Sequence, residues 1–132
     1  MDKTIVTQGK RKRAVARAVL RTGTGKITIN GIHLEIYTPT LYQLKIMEPV
    51  ILAGEVAGQV DVAVTITGGG QSSQADSARL SIGKALVQHS PKLKKIFLEY
   101  DRQLLVADVR RKEAAKPGRH GQARAKRQKS YR

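Results

Sequence analysis

A chain of 132 residues has room for one core, and its 25 Lys and Arg against 10 Asp and Glu give a formal charge of +15 that calls for a polyanionic partner. There is no cysteine for a disulfide or a thiol nucleophile, and the apolar run from Ile46 to Ala57, broken by Glu48, Pro49 and Glu55, falls well short of the ~20 residues of a membrane span. Met1-Asp2-Lys3-Thr4 lacks the apolar stretch of a secretory signal, so the expected location is cytoplasmic.

In chain order, Lys10-Arg11-Lys12-Arg13 leads into a predicted strand from Ala14 to Leu20, with Arg17 and Arg21 continuing the charge. Lysines on a strand edge also discourage aggregation, but at this net charge contact with RNA phosphates is the stronger reading. Gly23-Thr24-Gly25 predicts a hairpin turn into a second strand, Ile27-Thr28-Ile29, and Asn30-Gly31 suits positive φ at its end. Thr38-Pro39 predicts the cap and first turn of a helix to about Met47. Pro49 either breaks that helix or opens a second one ending before Gly54, and both readings turn Leu41, Leu44 and Val50 inward.

Val60 to Thr67 places four β-branched apolar residues on one side at period two and is the clearest strand. After Gly68-Gly69-Gly70, Ser72 or Ser73 is expected to cap a helix in which Ala75, Ala78, Ile82, Ala85 and Leu86 recur at helical spacing, with Gly83 marking a close neighbour. Ser90-Pro91 opens a short helix carrying Leu93, Ile96 and Phe97, and Leu104 to Ala107 reads as a fourth, buried strand. The fold expected is a single α+β domain, a mixed four-stranded sheet with helices packed on it, over residues 1–109.

Residues 110–132 differ. They hold ten cations against Glu113, leaving a charge of +6 for the other 109 residues, and beyond Val109 their only large apolar side chain is Tyr131. Such a segment cannot offset its folding entropy alone and is expected to be disordered when free; extended at about 3.3 Å per residue, it reaches some ~75 Å.

Catalytic and cofactor chemistry find no footing. His33, His89 and His120 lack metal-ligand spacing and the acids are scattered, so no metal, cofactor, catalytic residue or small-molecule substrate is expected. Neither Gly25-Lys26 nor the triple glycine completes a nucleotide-triphosphate loop. From the residues alone, the triple glycine serves equally as a phosphate cradle at a helix N-terminus or as a permissive turn. One Phe, four Tyr and no Trp leave little for base stacking, so phosphate contact should dominate.

The stretch from Gly68 to Leu86, with its triple glycine, Ser73, Gln74, Ser77, Ser81, Gly83, Lys84 and Leu86, resembles the signature of the ninth-protein family of the small ribosomal subunit. Gly9-Lys10-Arg11-Lys12-Arg13-Ala14, Leu44-Lys45-Ile46-Met47-Glu48-Pro49 and the end Gln128-Lys129-Ser130-Tyr131-Arg132 agree with it, so the likeness spans nearly the whole chain. The ending is similar to the archaeal and eukaryotic branch, with Tyr131 where bacterial relatives carry lysine, and the short loops point to an archaeal source.

The resemblance implies a non-enzymatic ribosomal protein with left-handed βαβ topology. Its partners would be the rRNA of the subunit head, neighbouring ribosomal proteins there and, through the tail, the anticodon stem-loop of P-site tRNA. The expected rRNA contacts in the body are Lys10, Arg11, Lys12, Arg13, Arg17, Gly69, Gly70, Ser73, Gln74 and Lys84. In the tail they are Arg110, Arg111, Lys112, Lys116, Arg119, His120, Arg124, Lys126 and Arg127, with Lys129, Ser130, Tyr131 and Arg132 expected at the tRNA.

Overall fold

The computed structural model describes residues 4–37 and 40–106. Its strands are β1 (Ile5–Arg11), β2 (Ala14–Thr22), β3 (Ile27–Ile29), β4 (Ile32–His33) and β5 (Val60–Thr67), and its helices α1 (Thr40–Ala53), α2 (Gln71–His89) and α3 (Leu93–Tyr100). The strands form one mixed sheet in the order β1-β2-β5-β3-β4, in which β5 runs antiparallel to β2 and parallel to β3. The expected α+β class with a mixed sheet holds, but the sheet has five strands instead of four.

Two strands escaped the sequence reading for a physical reason. The buried positions of β1 are Thr7 and Gly9, which carry no apolar alternation to detect, and β4 is two residues long. β1 closes on β2 through the two-residue turn Lys12-Arg13, with Arg11 opposite Ala14 and Lys12 at φ 55°. β3 closes on β4 through Asn30-Gly31 at φ 51° and 82°, the positive pair that a tight hairpin of this kind needs.

The predicted β2–β3 hairpin is corrected, because β5 lies between those strands. Val60, Val62, Val64 and Ile66 are all at most 6% exposed, and the most aliphatic segment takes the central position where both its edges are paired. The chain from Gly23 to Lys26 instead wraps the start of β5. The amides of Gly23 and Gly25 donate to the carbonyls of Gln59 (3.0 Å) and Val60 (3.1 Å), and the Asp61 carboxylate accepts from the amides of Lys26 (2.9 Å) and Thr24 (3.0 Å). Those amides, Lys26 first, hold the Asp61 carboxyl below its ordinary range.

One sheet face buries Ala14, Ala16, Ala18 and Leu20 of β2 and the aliphatic row of β5 in the core to which Ala75, Ala78, Ile82, Ala85 and Leu86 of α2 also belong. The small side chains let α2 come close. A Cβ on Gly9 would collide with the backbone at Ser77 and Ser81, and the Thr7 hydroxyl donates to the Ser81 carbonyl at 2.7 Å. On the opposite face Gln8, Arg17 and Thr65 stand in register across β1, β2 and β5, exposed.

Gly83 does mark a close neighbour, since a Cβ there would lie 2.5 Å from the Leu104 carbonyl oxygen. That neighbour is not the predicted strand: Arg102–Leu104 is a 3-10 turn whose Leu104 is fully buried, so this backbone docks on a helix instead of joining the sheet, and Ala107 lies outside the described residues. The helix predicted after Thr38-Pro39, two residues also outside the described set, runs unbroken through Pro49 to Ala53. Its buried stripe is Ile46, Pro49 and Ala53, so Leu41 and Leu44 point outward, at 70% and 56% exposure, and Val50 is half-buried. The N-cap of α2 is Gly70, without a side-chain cap; Ser72 and Ser73 fall inside the first turn. In α3, Leu93 and Phe97 are buried while Ile96 is 45% exposed.

Candidate nucleic-acid interface

The β1–β2 turn and the triple glycine, 55 residues apart in sequence, meet at one end of the sheet. Val15 of β2 pairs with Thr67 of β5, which brings the chain on either side of that pair together. Gly68 (φ 76°) runs so close that a Cβ would lie 2.6 Å from the Arg13 carbonyl oxygen, and one on Gly69 (φ 69°) would lie 2.9 Å from Ala14. Positive φ and close approach together demand glycine at both positions. The Gln74 side chain donates to the Gly68 carbonyl at 3.1 Å, fixing the turn from within α2.

Exposed Lys10, Lys12 and Arg13 therefore stand beside the N-terminus of α2, whose first amides lack a side-chain cap and whose first turn has no acid. The cations and the positive end of the helix dipole reinforce each other as a site for anionic oxygens. Gly69, Gly70, Ser73 and Gln74 all belong to this cluster. Arg17 sits further along β2 on the open face, opposite Gln8 and Thr65.

Two expected contacts are otherwise engaged. Arg11 lies 3.6 Å from Asp76, which also takes Lys45 at 2.5 Å. The Lys84 ammonium donates to the Gln8 carbonyl at 3.1 Å, tying α2 to the edge strand; thirteen residues along the helix from Gln71, it is about 20 Å from the cluster. Arg110, Arg111, Lys112, Lys116, Arg119, His120, Arg124, Lys126, Arg127, Lys129, Ser130, Tyr131 and Arg132 lie outside the described residues.

The sequence reading missed Arg79. Buried in α2, its guanidinium donates through Nε to Glu48 of α1 (2.8 Å), again to Glu48 through Nη2, and to Asp101 after α3 (2.9 Å), joining three elements in one ion-pair network. The available signal was an arginine on the apolar stripe, four residues after Ala75 and three before Ile82, which cannot be buried without acids. A cavity beside the hairpin, lined by Lys10, Arg11, Lys45, Ser72, Arg79 and Tyr100, also takes in Glu48, Asp76 and Asp101, so its cations are met by acids. Among the described residues no group of three or more His, Asp or Glu could hold a metal ion, and no helix is long and apolar enough to cross a membrane.

A one-sided sheet with cations gathered at a turn and a helix end has the build of a polyanion-binding domain. Residues 9–132 match the family described as ribosomal protein S9/S16. Similar curated proteins include the small ribosomal subunit protein uS9 of Methanococcus vannielii, 51% identical over 133 residues, with 98% of this chain and 99% of that protein covered. Those of Methanococcus maripaludis strains C5 and C7 are each 50% identical over the same span. The chain belongs to the ribosomal protein S9/S16 family, whose members are structural proteins of the ribosome and not enzymes.

Proposed function

We propose that this protein is a structural constituent of the small ribosomal subunit in the cytoplasm, with a body, residues 1–109, that binds rRNA of the subunit head beside neighbouring ribosomal proteins. The observation that carries the RNA reading is the meeting of Lys10, Lys12 and Arg13 with Gly69, Gly70, Ser73 and the uncapped start of α2. Arg11, Arg17, Gln74 and Lys84 extend the contact on either side. Phosphate neutralisation supplies the affinity through counterion release, and base reading is not required. The left-handed sense implied by the family resemblance would apply to β3-α1-β5, a parallel strand pair joined across a helix.

Residues 110–132 form, in this proposal, a basic tail that threads along rRNA and brings Lys129, Ser130, Tyr131 and Arg132 to the backbone of the P-site tRNA anticodon stem-loop. Its ten cations and single acid support this reading.

The test of the body is the salt dependence of binding to a head-domain rRNA fragment. Replacing Lys10, Lys12 and Arg13 together with alanine should reduce the slope of log K against log salt by about 0.9 for each phosphate lost, up to roughly 2.7, with thermal stability unchanged. An unaltered slope rejects the cluster as the phosphate site. For the tail, deleting residues 129–132 should leave the protein assembled into subunits but speed dissociation of P-site tRNA; normal dissociation rates reject the tRNA contact.

A further inference from the structure

The cations of this chain avoid one long segment. Residues 27–78 hold a single Lys or Arg, Lys45, against five acids, while the other 80 residues hold 24 cations against five acids. Lys45 is itself paired with Asp76 at 2.5 Å. This segment builds β3, β4, α1 and β5, so it supplies the sheet edge remote from β1 and the helix beside α2.

That side also carries large exposed apolar side chains. Leu41, Leu44 and Ile51 of α1 are 70%, 56% and 64% exposed, and Ile36, in the 3-10 turn Leu34–Ile36 after β4, is 69% exposed. The Gln43 amide joins these parts, donating to the carbonyls of Leu34 and Glu35 at 2.8 Å each and clamping the turn against the second turn of α1. Between α1 and the β3–β4 hairpin lies a groove whose apolar lining is Ile27, Leu34, Met47 and Val50 and whose polar lining includes Lys26, His33 and Glu35, so one acid and one cation meet there. Exposed Glu35 lies in the 3-10 turn before α1 and exposed Glu55 just after its last residue, Ala53, so an acid flanks the helix at each end.

We infer that this face is a protein-docking surface, and that its occupant is a segment of another protein carrying apolar side chains flanked by Lys or Arg. RNA does not fit, because phosphates would meet carboxylates and leave four large apolar side chains without partners. Residues 107–132 of this chain offer cations, yet after Val109 only Tyr131 has a large apolar side chain to fill the groove. Apolar anchors with charge complementarity at the rim are the chemistry that steers and holds a protein segment. The two regions take different work: the hairpin end faces nucleic acid, and the side of α1 that carries Leu44 and Ile51 faces protein.

The experiment places the photo-crosslinking residue p-benzoylphenylalanine at Leu44 or Ile51 of the full chain in cells and irradiates salt-washed small subunits. Sedimentation of the protein with the subunit checks the proposed ribosomal role separately, before any crosslink is scored. The expected product is a crosslink to one other protein, through a peptide bearing Lys or Arg beside apolar residues. Charge reversal of Glu35 and Glu55 to lysine should lower its yield roughly threefold or more. A crosslink to rRNA, to this chain or a second copy of it, or no crosslink in sedimenting protein overturns the inference, as does a yield indifferent to the charge reversal.

Discussion

β5 and β1 are both secured on the helix side of the same sheet, but by opposite means. β5 does it with Val60, Val62, Val64 and Ile66, four aliphatic side chains that fill space between the sheet and the helices. β1 does it with Thr7 and Gly9, where little side chain intervenes and the backbones of strand and helix nearly touch. Burial by volume tolerates small losses, because neighbours relax into part of the space. Burial by absence does not tolerate gain, because the atoms in the way are main chain.

The largest expected effect follows from that difference in sign. Adding one methyl with Gly9→Ala should cost about 3 kcal/mol, since α2 must retreat at Ser77 and Ser81, whereas removing one with Ile66→Val should cost only about 1 kcal/mol. Chemical denaturation of the two variants measures both, and equal losses would show that the two strands are buried alike.

Next in size is Gly69→Val. At φ 69° a β-branched side chain is strained, and its Cβ would lie 2.9 Å from Ala14, so a loss of about 2 kcal/mol is expected together with weaker rRNA binding as the turn moves off Arg13 and the α2 N-terminus. Unchanged melting temperature and full rRNA affinity would show that the turn needs no glycine there.

The same contrast explains what the sequence made legible. β2, β3, β5 and the buried face of α2 are written in apolar periodicity, and Gly83 announced a close neighbour correctly. β1 was hidden because threonine and glycine leave no hydrophobic pattern. The face of α1 was misread because Leu41, Leu44, Ile46, Met47, Val50, Ile51 and Leu52 encircle the helix; periodicity then fixes no phase, and the buried stripe is Ile46, Pro49 and Ala53, of which Ile46 and Ala53 join the core. Leu104 is apolar and buried as expected, but its burial comes from backbone docked on Gly83, which no strand pattern encodes. For the interface, Lys10 to Arg13 and the triple glycine were each visible alone. Their adjacency depends on the pairing of β2 with β5, a contact between segments some fifty residues apart, and the acid partners of Arg11 and Arg79 come from elements that only tertiary packing brings near.

The smallest effect lies on the solvent side of β5, where Asp61 holds the turn from Gly23 to Lys26 and replaces the hairpin that β5 displaced. Its carboxyl is lowered below the ordinary 3.8 by the amides of Lys26 and Thr24, so the charged form is favoured in the fold. The contribution to stability is therefore complete above the unfolded value and is lost as pH falls through the lower folded one. Melting temperature followed through the acid range should show the wild type's advantage over Asp61→Asn constant above about pH 5 and shrinking below about pH 4. An advantage that persists undiminished into stronger acid would mean that the Asp61 side chain holds the turn without its charge, and no advantage at any pH would mean that the Gly23 and Gly25 amide contacts to β5 suffice.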